Sequence, residues 1–189
     1  MPNSFNISNR ISYFGKLPQY GDFLKGNLPE KVYITLDEWI STELREAQRH
    51  CGGHFDQKWL KAPIYYFALK KNNNLFQKST FGVWMPSLDK ANRPFPFLLF
   101  LFLPENIDFQ EGINSTPQNL LQLSAINLHK ILLGEIPFQD GLNLIAEHIE
   151  KTANIIEIKS NFWWSGDTFL ENTTLPMKEN FHLLLHSTP

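Results

Sequence analysis

Phe97-Leu98-Leu99-Phe100-Leu101-Phe102-Leu103 is a run of seven apolar side chains with no polar residue among them. A strand points successive side chains to opposite faces, so a strand of this composition must be covered on both sides. The wider apolar stretch, Phe95 to Leu103, lies between Pro94 and Pro104 and is far shorter than the roughly 20 residues a membrane-spanning helix needs. The segment therefore predicts a central strand of a sheet with helices on both faces.

The rest of the chain supplies those partners. Arg10 to Phe14 alternates polar and apolar residues as a short strand and leads into a turn-rich segment, Gly15 to Gly26. A helix is predicted to start at Thr35, capped by Thr35 with Glu38 and stapled by Ile34 and Trp39, and to stop at Gly52-Gly53. Its buried stripe is Leu36, Trp39, Ile40, Leu44, Ala47 and Cys51, leaving Asp37, Glu43, Arg45, Glu46 and Arg49 for water. Pro63 to Lys70, a turn at Asn72-Asn73-Asn74, and Leu75 to Met85 form a predicted hairpin. Thr116 and Pro117 open a second helix whose stripe is Leu120, Leu121, Ser124, Leu128, Ile131 and Leu132, ending at Gly134. A third follows from Asp140 with Leu142, Ile145, Ala146 and Ile149 buried. Asn161 to Ser165 is strand-like, and Phe181 to His186 fits either a strand or a helix. Helices on both faces of one sheet, joined by hairpins and longer crossovers, predict an α/β fold, a three-layer α/β/α sandwich with a mixed, largely antiparallel central sheet. No repeat or linker divides residues 1–189, which are expected to form a single domain.

Composition narrows the function classes. With 42% apolar and 19% charged residues, and with 16 Phe, 5 Trp and 5 Tyr, the chain is neither disordered nor a coiled coil. Its 17 basic and 19 acidic side chains give a net charge of -2, too balanced for a general nucleic-acid binder. The single cysteine, Cys51, makes no internal disulfide, and Met1 to Asn9 has neither the basic nor the apolar part of a signal peptide. A cytoplasmic protein with no direct membrane insertion is expected; no basic amphipathic helix or lipidation motif favours binding at a membrane surface.

Familiar catalytic patterns are missing. His50-Cys51-Gly52-Gly53-His54 and the pair His182 and His186 are the best metal candidates, but neither brings a third or fourth ligand, and histidine near a helix end suits the local dipole. There is no Gly-x-Ser-x-Gly elbow, and Lys16 after Gly15 lacks the rest of a phosphate-binding loop. Cys51 falls on an apolar helix stripe, where a thiol is expected to be inert. Neither metal nor cofactor is expected.

Two segments combine Gly/Pro-shaped loops with charged and large apolar residues. They are Tyr13-Phe14-Gly15-Lys16-Leu17-Pro18-Gln19-Tyr20-Gly21-Asp22-Phe23 and Gly82-Val83-Trp84-Met85-Pro86-Ser87-Leu88-Asp89-Lys90-Ala91-Asn92-Arg93-Pro94-Phe95-Pro96. Loops on a rigid scaffold commonly carry recognition. Lys16, Asp22, Phe23, Ser87, Asp89 and Arg93 are the candidate residues, with two open roles. They bind a partner, or they brace the loops, with Arg93 pairing to Asp89 or Asp22.

These same motifs resemble the TagF (ImpM) family of bacterial type VI secretion accessory proteins. The first is similar to the family's opening Tyr-Phe-Gly-Lys-Leu-Pro-x-x-Gly-Asp-Phe. It is followed in order by a Trp-bearing helix (Trp39), Trp59-Leu60-Lys61-Ala62-Pro63-Ile64, the Gly82 to Pro96 block, and Trp163-Trp164. The glycine common before the arginine of the third block is Asn92 here, a residue that also tolerates left-handed turns. The resemblance implies a three-layer α/β/α sandwich and a non-enzymatic, post-translational repressor of type VI secretion. Its implied partner is the forkhead-associated scaffold protein of the system, in parallel with or independently of the threonine kinase and phosphatase pathway. The serine/threonine phosphatase domain fused to some relatives does not follow within these 189 residues, so no phosphatase chemistry is expected of the chain. The alternative is a small enzyme with its site between the Gly15 to Phe23 and Ser87 to Pro94 loops. There Asp22, Asp89, Lys16 and Arg93 would supply the acid, base and anion-binding groups.

Overall fold

The structure, a computed structural model, describes residues 11–102, 116–151, 160–171, 173–177 and 179–185. Among them, seven strands form one sheet in the order β2-β1-β5-β4-β3-β6-β7: β1 (Ile11–Gly15), β2 (Leu24–Gly26), β3 (Tyr65–Leu69), β4 (Thr80–Met85), β5 (Phe97–Phe102), β6 (Phe162–Ser165) and β7 (Thr168–Glu171). The helices are α1 (Glu30–Cys51), α2 (Phe55–Lys61) after a 3-10 turn at Gly52–His54, α3 (Thr116–Leu132), α4 (Phe138–Lys151) and α5 (Glu179–Leu183).

The apolar run is strand β5, paired with β1 on one side and β4 on the other. Leu98 and Phe100 join one hydrophobic cluster, while Phe97, Leu99 and Leu101 join another. The first cluster holds Leu36, Trp39, Ile40 and Leu44 of α1, Trp59 of α2 and Phe181 of α5. The second holds Leu121, Ala125 and Leu128 of α3 and Leu142 and Ile145 of α4. Alternation decides the rest of the sheet too: Trp84 belongs to the first cluster and Val83 and Met85 to the second, and Trp163 and Trp164 divide the same way. Gly82 has no side chain because the Phe67 ring occupies that space; a Cβ there would sit 1.9 Å from Phe67 Cζ.

Every strand pair is antiparallel, which corrects the expectation of mixed directions. The reason lies in the connections. Between β5 and β6 the chain runs through two packed helices, α3 and α4, and a pair of helices returns it to the end of the sheet it left. A single crossover helix would have delivered it to the opposite end. The 22-residue α1, about 33 Å long, does cross between ends, but it joins β2 to β3, which are not neighbours.

Helix α1 begins five residues before the predicted cap. The Pro29 carbonyl accepts from Val32 and Tyr33 N–H, and Thr35 is internal, its hydroxyl donating back to Lys31 O at 2.9 Å. Ile34 is 46% exposed and makes no staple. The helix ends as expected at Gly52, φ 53°. Five of the six predicted stripe residues are buried, and Cys51 at the end is half-buried. Two residues join them: Val32, in the turn before the predicted start, and Glu43, assigned to water by residue type but buried because positions 36, 40, 43 and 47 share a face. The sequence reading missed α2, β2 and β7. Phe181–Leu183 is helical, and His186 and Leu103 lie outside the described residues, as does the side chain of Ile149.

Candidate functional site

Strand register brings the two loops together. Gly15 ends β1 opposite Phe97, the first residue of β5, and Phe97 is opposite Met85, the last residue of β4. The chain leaves β1 and β4 and enters β5 at one end of the sheet, so residues 16–23 and 86–96 must share it. Gly15 makes the approach possible: at φ 145°, a Cβ would lie 2.2 Å from the Pro96 carbonyl oxygen. Lys16 N–H donates to that carbonyl and Lys90 N–H donates to Tyr20 O, linking loop to loop through the backbone.

Asp89 sits at the centre of the second loop and is fully buried. Oδ1 accepts the N–H groups of Ala91 (2.8 Å) and Arg93 (3.0 Å). Oδ2 accepts Arg93 Nε at 2.6 Å and, from the other loop, Lys16 Nζ at 3.2 Å. Burial alone would push the carboxyl up; the hydrogen bonds from the Arg93 backbone, Lys16, the Arg93 side chain and the Ala91 backbone outweigh it and hold Asp89 well below the usual carboxylate range. Asn92 closes the turn at φ 60°, a conformation Asn tolerates where glycine is the common choice.

The six candidates divide by exposure. Lys16 has a side chain only 12% exposed, ion-paired to Asp89 and set 4.6 Å from the Phe23 ring centroid. Phe23, half-buried, stacks on Phe14 and meets Phe95 edge-on. Ser87 is buried, and its carbonyl accepts from the Trp59 indole at 2.8 Å and from Phe95 N–H. These three and Asp89 face inward. Arg93 gives its Nε to Asp89 but leaves its side chain 66% exposed. Asp22 is exposed, and its carboxylate has no ion-pair partner among the described residues.

The same end holds features the sequence reading missed. Gln19 donates through Nε2 to the carbonyls of Ile131 (2.9 Å) and Leu132 (3.0 Å), capping the C-terminal end of α3 from the first loop. Beside it lies an apolar groove of about 240 Å³, with Pro18, Leu60, Ile64, Pro86, His129 and Leu132 in its wall. Helix α2 was the missed signal: Phe55 and Trp59, four apart, both face the core, so Leu60, one step of about 100° further, turns to the surface.

The other chemical candidates sit elsewhere. His182 lies against His50, ring centroids 4.7 Å apart, where α5 meets α1, and Cys51 is half-buried beside the core. Among the described residues no three His, Cys, Asp or Glu side chains are placed to hold a metal ion, and no helix is long and apolar enough to cross a membrane.

The crystal structure of PA0076 from Pseudomonas aeruginosa PAO1 matches this fold with a TM-score of 0.72, covering 95% of this chain and 97% of that one at 20% identity. At that identity the likeness concerns the fold alone. No curated protein matches the chain. The family model of the TagF N-terminal domain, type VI secretion system-associated, matches residues 12–133, a span that contains both loops, the groove and all six candidate residues. The chain therefore belongs to the TagF family of type VI secretion-associated proteins.

Proposed function

We propose that the chain is a non-enzymatic, cytoplasmic repressor of type VI secretion that works by binding the system's forkhead-associated scaffold protein with the end of the sheet where the two loops meet. In this reading the α/β fold is a three-layer α/β/α sandwich, supported by the two hydrophobic clusters, one shared with α1, α2 and α5 and the other with α3 and α4. The observation that carries the functional reading is the state of Asp89. Both oxygens are occupied by donors and the carboxyl is held ionised, so it is suited neither to give a proton nor to take one. Lys16 is spent on the same pair. The groups an enzyme would need between the loops are committed to holding the loops still, which is what a preorganised docking surface requires.

Pull-down of the tagged protein from cells expressing the secretion cluster tests this reading, with Asp22→Ala and Arg93→Ala as comparisons. Recovery of the scaffold protein by the parent and a weaker yield with the two exposed-residue variants is the expected result. Recovery of no type VI component under conditions that preserve complexes would contradict it.

A further inference from the structure

The two edges of the sheet differ in what they leave open. Strand β2, at one edge, is three residues long with Lys25 at its centre, a short charged edge that discourages pairing. Strand β7, at the other, lies outside the residues 12–133 matched by the family model and pairs on one side, with β6. Ser165 and Thr168 face each other across the two-residue turn Gly166-Asp167, so Thr168 and Leu170 spend their backbone groups on β6, and Phe169 and Glu171 turn theirs outward. Among the described residues no backbone hydrogen bond meets them there. The Phe169 side chain is 54% exposed and ends a row of rings on the face that α3 and α4 share. Along that row Tyr66 and Trp164 are 5.6 Å apart, Trp164 and Phe162 5.0 Å, and Phe162 and Phe169, nearly parallel, 5.5 Å. An apolar row that runs off an open edge is surface that a further strand would cover.

We infer that β7 pairs antiparallel with β7 of a second copy of the chain, joining two sheets edge to edge in a closed, two-fold dimer. The strand fits itself in one register. With the two-fold axis at Leu170, each Phe169 stands opposite the partner's Glu171, and outward N–H and C=O groups meet in hydrogen-bonded pairs on both sides of the axis. Leu170 and the partner's Leu170 form the closer, non-hydrogen-bonded pair between them. Side chains keep their face across a pair, so the row of rings continues from one copy into the next. Moving the axis by one residue either way sets Glu171 directly opposite the partner's Asp167 or the partner's Glu171, like charges in both cases. A net charge of -2 adds little long-range repulsion between copies, and the short β2 edge ends the assembly at two. The inference is independent of which component the loop end docks.

Sedimentation velocity of the full chain over a micromolar to submillimolar series tests this, with the melting temperature of each variant as the check on folding. The parent is expected to pass from monomer to dimer along the series. Phe169→Glu, at an exposed position, sets carboxylate opposite carboxylate and should weaken the dimer about tenfold or more while melting within a few degrees of the parent. The double variant Phe169→Glu/Glu171→Lys should restore the dimer, because in this register each new carboxylate meets the partner's new ammonium. Amide hydrogen exchange read by NMR reports on the backbone. The amides of Phe169 and Glu171 should gain protection as the dimer forms, whereas those of Thr168 and Leu170 should be protected throughout. A chain that stays monomeric across the series, a dimer unaffected by Phe169→Glu, or no rescue in the double variant would overturn the inference. A dimer in which the Phe169 and Glu171 amides exchange as they do in the monomer would overturn it too, by placing the contact on another surface.

Discussion

In the Asp89–Arg93 pair the two side chains are 0% and 66% exposed, and Lys16, the second cation on the same carboxylate, is 12% exposed. Removing Asp89 strands a nearly buried ammonium and two backbone donors, so Asp89→Ala should cost about 3–5 kcal/mol. A chain of this size loses roughly 2–4 °C of melting temperature per kcal/mol, which thermal unfolding would resolve easily. Arg93→Ala removes only an exposed partner and should cost no more than about 1 kcal/mol. The Asp89 carboxyl is lowered by folding, so its stabilisation is complete above the unfolded value near 3.9 and is lost as pH falls from there toward the folded value. Urea melts of the parent and Asp89→Asn should therefore keep a constant gap from pH 7 to 5 and converge below about pH 4; a gap unchanged at pH 3 would contradict the arrangement. The sequence named all three residues and left Arg93 two partners, Asp89 or Asp22, of which the structure takes Asp89. Exposure was not legible: nothing in residue type separates Asp89, sealed by a turn and a second loop, from Asp22, left in water.

At the scale of elements, strands and helices with strong periodicity were readable and short ones were not. Strand β5 and the stripes of α1 and α3 each repeat a pattern over several residues, so single substitutions hardly blur them. Helix α2 has seven residues and shows only the Phe55–Trp59 pair, and β2 has three residues, too few for alternation. Strand β7 could have been found, because Gly166-Asp167 between Ser165 and Thr168 is a two-residue hairpin signal, and Gly166 has φ 52°. Two joints between elements are testable. Gly15→Ala combines a φ of 145° with a collision against Pro96 and should destabilise by about 2–4 kcal/mol, measured by denaturant unfolding. Trp59→Phe removes the donor to the Ser87 carbonyl while keeping an aromatic in the core, and should cost about 1–3 kcal/mol. A thermally silent Trp59→Phe would mean that α2 does not anchor the second loop.

For the molecule as a whole, strand direction was the feature hardest to read from sequence. Helix count and sheet coverage follow from local patterns, including the two helices between β5 and β6, but the direction of neighbouring strands also depends on strand order, and nothing local places β6 beside β3 or keeps β2 apart from β3. The consequence for function is that four chain segments with no sequence proximity, 16–23, 86–96, the end of α2 and the end of α3, close on one end of the sheet. With a net charge of -2 the chain presents no broad field, so a partner must recognise this end by shape and by the few charges left exposed there. The most direct test is secretion by a type VI system in cells supplied with the parent or with Arg93→Glu, read beside the melting temperature of each purified protein. If the chain is the proposed repressor, Arg93→Glu is expected to melt within a few degrees of the parent and to fail to repress secretion. An Arg93→Glu protein that is folded and represses as fully as the parent would contradict it.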